Sequence, residues 1–395
     1  MDFQMDEEQK SLVALVKDFA KREISPEYAK GIYKRDPMDR IPRDMMQKAF
    51  DVGLVQLPVP ERYGGGGIGV GNLLTQVIVI EYMEKFFYGL GSAIWFNWKL
   101  CGDLAAFGTK EQQDEFFPLI ISDPFFQLGE QITEPGHGCD PRLPYDEPGS
   151  GMKTFAYRDG DEYVISGEKG ITDSSVTNLS FVYVRTDKNK PLSQSTSLIL
   201  VPKDAPGYSV QNVYESGLPD LLRPMCDTLF DNCRVPTRYL LGEENKAMNI
   251  LTGRYPFWLG FAAAGLGAAQ SVYEFTKDYA KSRIQGGKPI FEHLTVGTRI
   301  VDMLNHIEQL RYLLYKTAWE YDHTGNALVN PLGFNLCIAA AHDLGALVAQ
   351  HAAEVFASRA SIEDLPIAAY IRAAMGTLHG FETADFNRVR AMNFI

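Results

Sequence analysis

The chain has 395 residues, 45% of them hydrophobic and 22% charged, and carries a formal net charge of −12 at pH 7. That length exceeds one compact core and implies two or three structural units. Acidic and basic residues are interspersed and no basic block occurs, which argues against a nucleic-acid partner on electrostatic grounds.

Five cysteines, Cys101, Cys139, Cys226, Cys233 and Cys337, lie far apart with no C-x-x-C pair, so neither a metal site nor a redox dithiol is expected. Their odd number and an acidic opening, MDFQMDEEQK, that does not read as an export signal fit a reducing compartment. The longest small-apolar stretch, residues 261–270, is too short to span a bilayer. The expectation is a soluble cytoplasmic protein.

Helical periodicity opens the chain. Leu12, Val13, Leu15, Val16 and Phe19 recur at helical spacing over residues 6–24, and Pro26 ends the run. Similar patterns recur over 45–54, 73–87 and 112–122, with the turn signal Gly64-Gly65-Gly66-Gly67 between them. Residues 1–125 read as an α-helical domain. Short β-branched and aromatic runs then alternate with Pro and Gly over 162–166, 179–185, 196–201 and 228–230, so residues 126–242 read as a β domain. Helical periodicity returns for residues 243–395. Residues 259–280 are rich in Ala and Gly, as in a helix packed closely on others, and 293–321 and 334–357 read as two long helices separated by the loop 323–331.

Specific strings can now be read. Pro60-Glu61-Arg62-Tyr63-Gly64-Gly65, Gly108-Thr109-Lys110-Glu111-Gln112, Thr133-Glu134-Pro135-Gly136-His137-Gly138-Cys139-Asp140, Val201-Pro202-Lys203-Asp204-Ala205-Pro206-Gly207, Phe230 to Pro236 with Leu240-Leu241-Gly242, and Arg283-Ile284-Gln285-Gly286-Gly287-Lys288-Pro289-Ile290 follow one another in register. Together they resemble the acyl-CoA dehydrogenase family. The resemblance implies an α+β fold: an N-terminal helical domain, a middle β-barrel-like domain and a C-terminal four-helix bundle. It also implies FAD as cofactor.

Small residues in the T-E-P-G-x-G string let backbone N–H groups approach a planar ring. By resemblance Thr133, with Gln131 and Gly138 beside it, would hold the pyrimidine edge of the flavin. Thr172, in a Gly170-Ile171-Thr172-Asp173 string similar to the family's W-x-T-N, would bond flavin N5. Arg283, with Gln285, would reach the FAD pyrophosphate of a neighbouring subunit by a bidentate contact. Read without the resemblance, Pro135-Gly136 is also a plain tight turn and Arg283 a solvated helix-end cation.

The family reaction is an anti elimination in which a carboxylate takes the α-proton of the thioester while the β-hydrogen leaves as hydride to flavin N5. Both customary positions for that base look vacant here. The C-terminal one falls at Gly380 or Phe381, with Glu382 beside it; the other, around Arg254, has no carboxylate. Glu382 is the leading candidate, with Asp385, His379 and Glu130 behind it. Further departures are Cys139 in place of Ser, Phe356-Ala357-Ser358-Arg359-Ala360-Ser361 in place of the glycine-rich string that cradles the adenine, and a longer segment at 141–152. Tyr255, Phe257 and Trp258, with Trp95, Phe96 and Trp98, would approach the acyl pocket or fill the core; with Cys139, Tyr255 and Trp258 are the candidate substrate contacts.

The resemblance thus implies oxidation of a short or cyclic acyl-CoA. Electron-transfer flavoprotein would be the acceptor, and the assembly a homotetramer or hetero-oligomer. Two alternatives stay open: an atypical reaction on the same fold, such as 1,4-dehydrogenation of a cyclic enoyl-CoA or an oxidase reaction, and a base-less partner subunit of a hetero-oligomer.

Overall fold

A capping box starts the first helix: Gln9 N donates to the Asp6 carboxylate, and the Gln9 side chain accepts from Asp6 N. The computed structural model describes residues 4–24, 43–68, 72–86, 89–138, 140–142, 146–214, 223–253, 255–325, 330–362, 366–376 and 382–395. Helix α1 (Glu7–Glu23) turns Val13, Val16 and Phe19 inward, and α2 (Arg43–Asp51) buries Met45, Met46 and Ala49. Three more helices follow, α3 (Leu73–Phe86), α4 (Leu90–Phe107) and α5 (Lys110–Ser122).

Helix α4 has no counterpart in the periodicity reading. It is buried on every side from Leu90 to Leu104, and a helix that is apolar all round has no stripe to detect. Its first turn is held by Glu84, whose carboxylate accepts from Gly89 N at 2.7 Å and Ser92 N at 2.9 Å. Burial pushes the Glu84 carboxyl up to about 7, against the pull of those amides. A carboxyl raised in the folded state stabilises the fold below its unfolded value of 4.5, and that contribution is lost as pH rises through about 7. The melting temperature of wild type relative to Glu84→Gln should therefore fall across that window. A difference that stays flat with pH would refute the assignment.

The strands are β1 (Leu128–Gln131), β2 (Phe155–Asp159), β3 (Glu162–Thr172), β4 (Leu179–Arg185), β5 (Thr196–Pro202), β6 (Tyr208–Tyr214), β7 (Met225–Pro236) and β8 (Leu240–Leu241). They form one sheet in the order β6-β7-β3-β2-β4-β5-β8, with β1 parallel to β4. The inner strands β4 and β5 are buried almost throughout, whereas edge strand β6 is largely exposed. The pairing of β3 with β7 shifts register twice, between Ile165 and Gly167 and again between Lys169 and Thr172. Such irregularities re-aim side chains.

The rest is helical: α6 (Ala247–Gly253), α7 (Leu259–Ser282), α8 (Leu294–Thr324), α9 (Pro331–Phe356), α10 (Pro366–Gly376) and α11 (Ala384–Ala391). A short hairpin, β9 (Ile284–Gln285) with β10 (Lys288–Pro289), follows α7. Helix α7 is rich in Gly because its neighbours come close. A Cβ on Gly260 would lie 1.9 Å from Trp95 Nε1 on α4, and one on Gly267 would lie 2.4 Å from the Glu81 carbonyl on α3. Helix α9 packs against α7, α8, α10 and α11. Within Pro331–Ser361 a window of mean hydropathy 1.5 is long and apolar enough to cross a membrane, yet 67% of it is buried inside the protein. This segment, not residues 261–270, is the longest apolar candidate among the described residues.

Candidate functional site

The T-E-P string lies where β1 runs out beside the end of β3. Gly170 N donates to the Thr133 carbonyl at 3.0 Å, bringing Thr133 within two residues of Thr172 along the facing strand. Glu134 and His137 exchange backbone hydrogen bonds around Pro135-Gly136, with Gly136 at φ 80°. Glu134 anchors this turn: its carboxylate accepts from Lys153 N, Thr154 N and Lys169 Nζ at 2.6–2.9 Å. Burial acts to raise the Glu134 carboxyl, but Lys169 and the amides hold it below its ordinary value.

A Cβ at Gly136 or Gly138 would meet nothing within 4 Å, so this backbone is open to a flat ligand. The Thr172 hydroxyl makes long contacts to Cys226, at 3.4 Å to its carbonyl and 3.7 Å to its Sγ. Gln131 is different. Its amide donates to Ser180 Oγ and Tyr208 OH and accepts from Thr228 Oγ1, so its side chain is committed to the sheet interior and it offers a ligand only its main chain. At Gly170 a Cβ would be 3.2 Å from Pro135 Cδ, so Pro135 stands where the resemblance places an indole. Next to it Ile171 is 59% exposed at φ 53° and donates its N–H to Asp227. A β-branched residue in that region is strained, and such strain concentrates at functional sites.

Behind the turn, helix α4, strand β1 and the segment before α7 meet in a buried polar cluster that sequence reasoning did not assemble. Lys99 Nζ donates to Glu130 at 2.8 Å and to Asp103 at 3.3 Å and lies 4.7 Å from the Trp258 ring centre. Arg223 donates to the carbonyls of Leu128 and Ala93, to Asn97 and Gln127, and to Asp173. The one available sequence signal was Lys99 with Asp103 four residues on, charges in an otherwise apolar run. Trp95 donates to the Phe257 carbonyl and meets Trp258 edge-on at 6.1 Å. These aromatics are 1–2% exposed and packed on one another.

The remaining candidates lie on other elements. Arg283 caps the C-terminal end of α7 and Gln285 sits on the hairpin after it; both are exposed. Glu382 takes φ 88°, and its side chain, 2% exposed, has both oxygens 3.4 Å from Arg390 Nη1. Asp385 is exposed and paired with Arg388. Glu130 is bonded into the Lys99 cluster. Cys139 and residues 377–381, with His379, Gly380 and Phe381, lie outside the described residues, as do Arg254 and the Tyr255 side chain. In place of the glycine-rich adenine string a 3₁₀ turn covers Ala357–Ser361, and Ala357 takes φ 51°, a conformation glycine favours. The long segment after Asp140 packs back on the β domain: Ser193 N donates to Asp146, and Arg185 donates to the Ser150 carbonyl.

These residues fit a flavin. Two threonines sit on adjoining strand ends, glycines leave open backbone, and the buried Arg223 Nε, Gln127 Nε2 and Ser174 Oγ beside them have no hydrogen-bond partner among the described residues. Sequence models of the acyl-CoA dehydrogenase N-terminal, middle and C-terminal domains match residues 6–123, 129–233 and 259–380. The chain is 32% identical over 332 residues to the probable acyl-CoA dehydrogenase YngJ of Bacillus subtilis strain 168, covering 82% of this chain and 81% of that protein. It is 28% identical to the short-chain specific acyl-CoA dehydrogenase of Megasphaera elsdenii, covering 95% and 94% of the two chains. The solved structure of PigA with FAD and proline has a TM-score of 0.88 to this fold at 21% identity, covering 100% of this chain and 99% of that one. The chain belongs to the acyl-CoA dehydrogenase family.

Proposed function

We propose that this protein is an FAD-dependent dehydrogenase of a short or cyclic acyl-CoA thioester. The observation that carries the reading is the pairing of Thr133 with Gly170, which sets the two flavin-directed threonines beside open glycine backbone. FAD, when bound, supplies a hydride acceptor for the β-hydrogen of the substrate. Thr133, Gly138 and the Gln131 main chain would hold its ring edge, Thr172 would offer a hydroxyl to N5, and Arg283 and Gln285 would offer exposed polar groups to the phosphates of a neighbouring copy.

Glu382 is the proposed base. Its side chain is shielded from water and its backbone is strained, both marks of a functional position. Trp258, Tyr255 and Cys139 are the proposed substrate contacts; of these, the buried Trp258 side chain alone lies within the described residues. Because Trp95, Phe257 and Trp258 fill the space between α4 and α7, the acyl group is a compact one. Leu294, Val301 and Tyr312 lie exposed along α8, with Ile284 nearby in sequence, which supports burial of that face in a homotetramer or hetero-oligomer. Four buried free cysteines support a reducing cytoplasmic setting, and the family supports electron-transfer flavoprotein as acceptor.

One observation favours a second reading. The Arg390 pair engages Glu382, as expected if elimination here proceeds without a conventional base or the chain serves a catalytic partner. Anaerobic mixing of the flavin-loaded protein with linear and cyclic acyl-CoAs separates the two. Bleaching of the flavin by a short or cyclic saturated thioester is the expected result. No bleaching with any thioester would sink the dehydrogenase reading.

A further inference from the structure

We propose that Asp173, held by Arg223, sets the midpoint potential of the flavin and takes up a proton when the flavin is reduced. This rests on the flavin reading above and adds to it a residue with no role in binding substrate. Asp173 directly follows Thr172 and brings a carboxylate to the end of β3.

The geometry makes that charge count. Arg223 reaches the Asp173 carboxylate at 3.2 Å with Nη1, while the same nitrogen donates to the Leu128 carbonyl at 2.6 Å. One guanidinium thereby ties the end of β3 to β1, the two strands that present Thr172 and Thr133. Its other nitrogen fixes both strands to α4 through Ala93 and Asn97. Arg223 is 4% exposed and the Asp173 side chain 10%, so water screens the pair poorly.

Among the described residues, the groups that face Asp173 are Arg223, Glu130 on β1 with its partner Lys99 on α4, and the Cys226 thiol on β7. Burial pushes the Asp173 carboxyl up to about 6, Arg223 opposing and Glu130 reinforcing. The group is ionised at neutral pH by a narrow margin. Negative charge on a ring held beside Thr172 would disfavour the carboxylate further. The electrons come from the reductant, the acyl thioester in turnover, and the proton comes from water. Loss of the negative charge should make reduction easier.

The test is a reductive titration of the FAD-loaded protein with dithionite and a reference dye, across the pH range in which Asp173 titrates. Asp173→Asn should shift the midpoint potential upward by about 30 mV, a tenfold change in the two-electron equilibrium, and should lose part of the wild-type dependence of potential on pH. Asp173→Glu, which keeps the charge, should restore both. The reduced-minus-oxidised infrared spectrum of wild type should gain a protonated-carboxyl band, a readout that needs no variant to fold.

Unchanged potential and slope in a flavin-loaded Asp173→Asn would overturn the proposal, and so would a wild-type spectrum without that band. A wild type that stays colourless with added FAD would instead remove the flavin reading itself.

Discussion

Replacing Glu382 by Gln slows reduction of the bound flavin by acyl-CoA about a hundredfold or more, with FAD content and fold retained. The amide keeps the shape of the side chain and can still accept from Arg390, so packing changes little, but it cannot take the α-proton. Single-turnover bleaching of wild type and variant, at saturating thioester, reads the chemical step free of acceptor kinetics. Equal rates would place the base elsewhere. Among the described carboxylates Glu130 would be tested next, because it lies three residues before Thr133, although Lys99 already claims it. Arg390 gives a further discrimination. Its bonds to Glu382 are long at 3.4 Å, and long contacts in a substrate-free site often tighten or part when the substrate arrives.

Lys99→Met lowers stability by about 3–5 kcal/mol, the usual cost of removing one partner from a buried ion pair. Lys99, Asp103 and Glu130 have side chains only 2–3% exposed, so removal of the cation leaves two carboxylates away from water. Denaturant midpoints of wild type and variant measure the loss. Adding Glu130→Leu should return part of it, since a matched apolar replacement removes an unpaired charge. A loss below about 1 kcal/mol, the range of exposed pairs, would show that water reaches the cluster.

Much of this was legible before the structure. The helical, β and helical order followed from periodicity alone, and the T-E-P string marked a turn because Pro and Gly impose one whatever surrounds them. What stayed hidden has physical reasons. Helix α4 carries no amphipathic pattern. Strand β6, an exposed edge, lacks the apolar alternation that marks a half-buried strand. The Arg223 hub joins residues 93, 97, 127, 128, 173 and 223, and no local spacing announces a contact made across such separations. Gln131 shows the opposite error: proximity to Thr133 suggested a shared duty, but β1 ends at Gln131, and its amide is taken up by Ser180, Tyr208 and Thr228 across the sheet, contacts no local spacing announces. The Glu382 backbone conformation at φ 88° was likewise beyond sequence, since non-glycine residues seldom adopt it.

The all-round burial of α4 bears on the order of events during synthesis. Its covering comes from Trp258 and Gly260, about 150 residues after its own last turn, and from Arg223 before them. At translation speeds of about 5–20 residues per second, the nascent chain carries this helix for roughly eight to thirty seconds before this part of its cover exists. An apolar rod held in waiting is what chaperones recognise. Growth of this protein on the ribosome therefore includes an interval in which α4 has its earlier neighbours but not this later cover, a state that the finished fold, with Trp258 sealed inside, no longer displays.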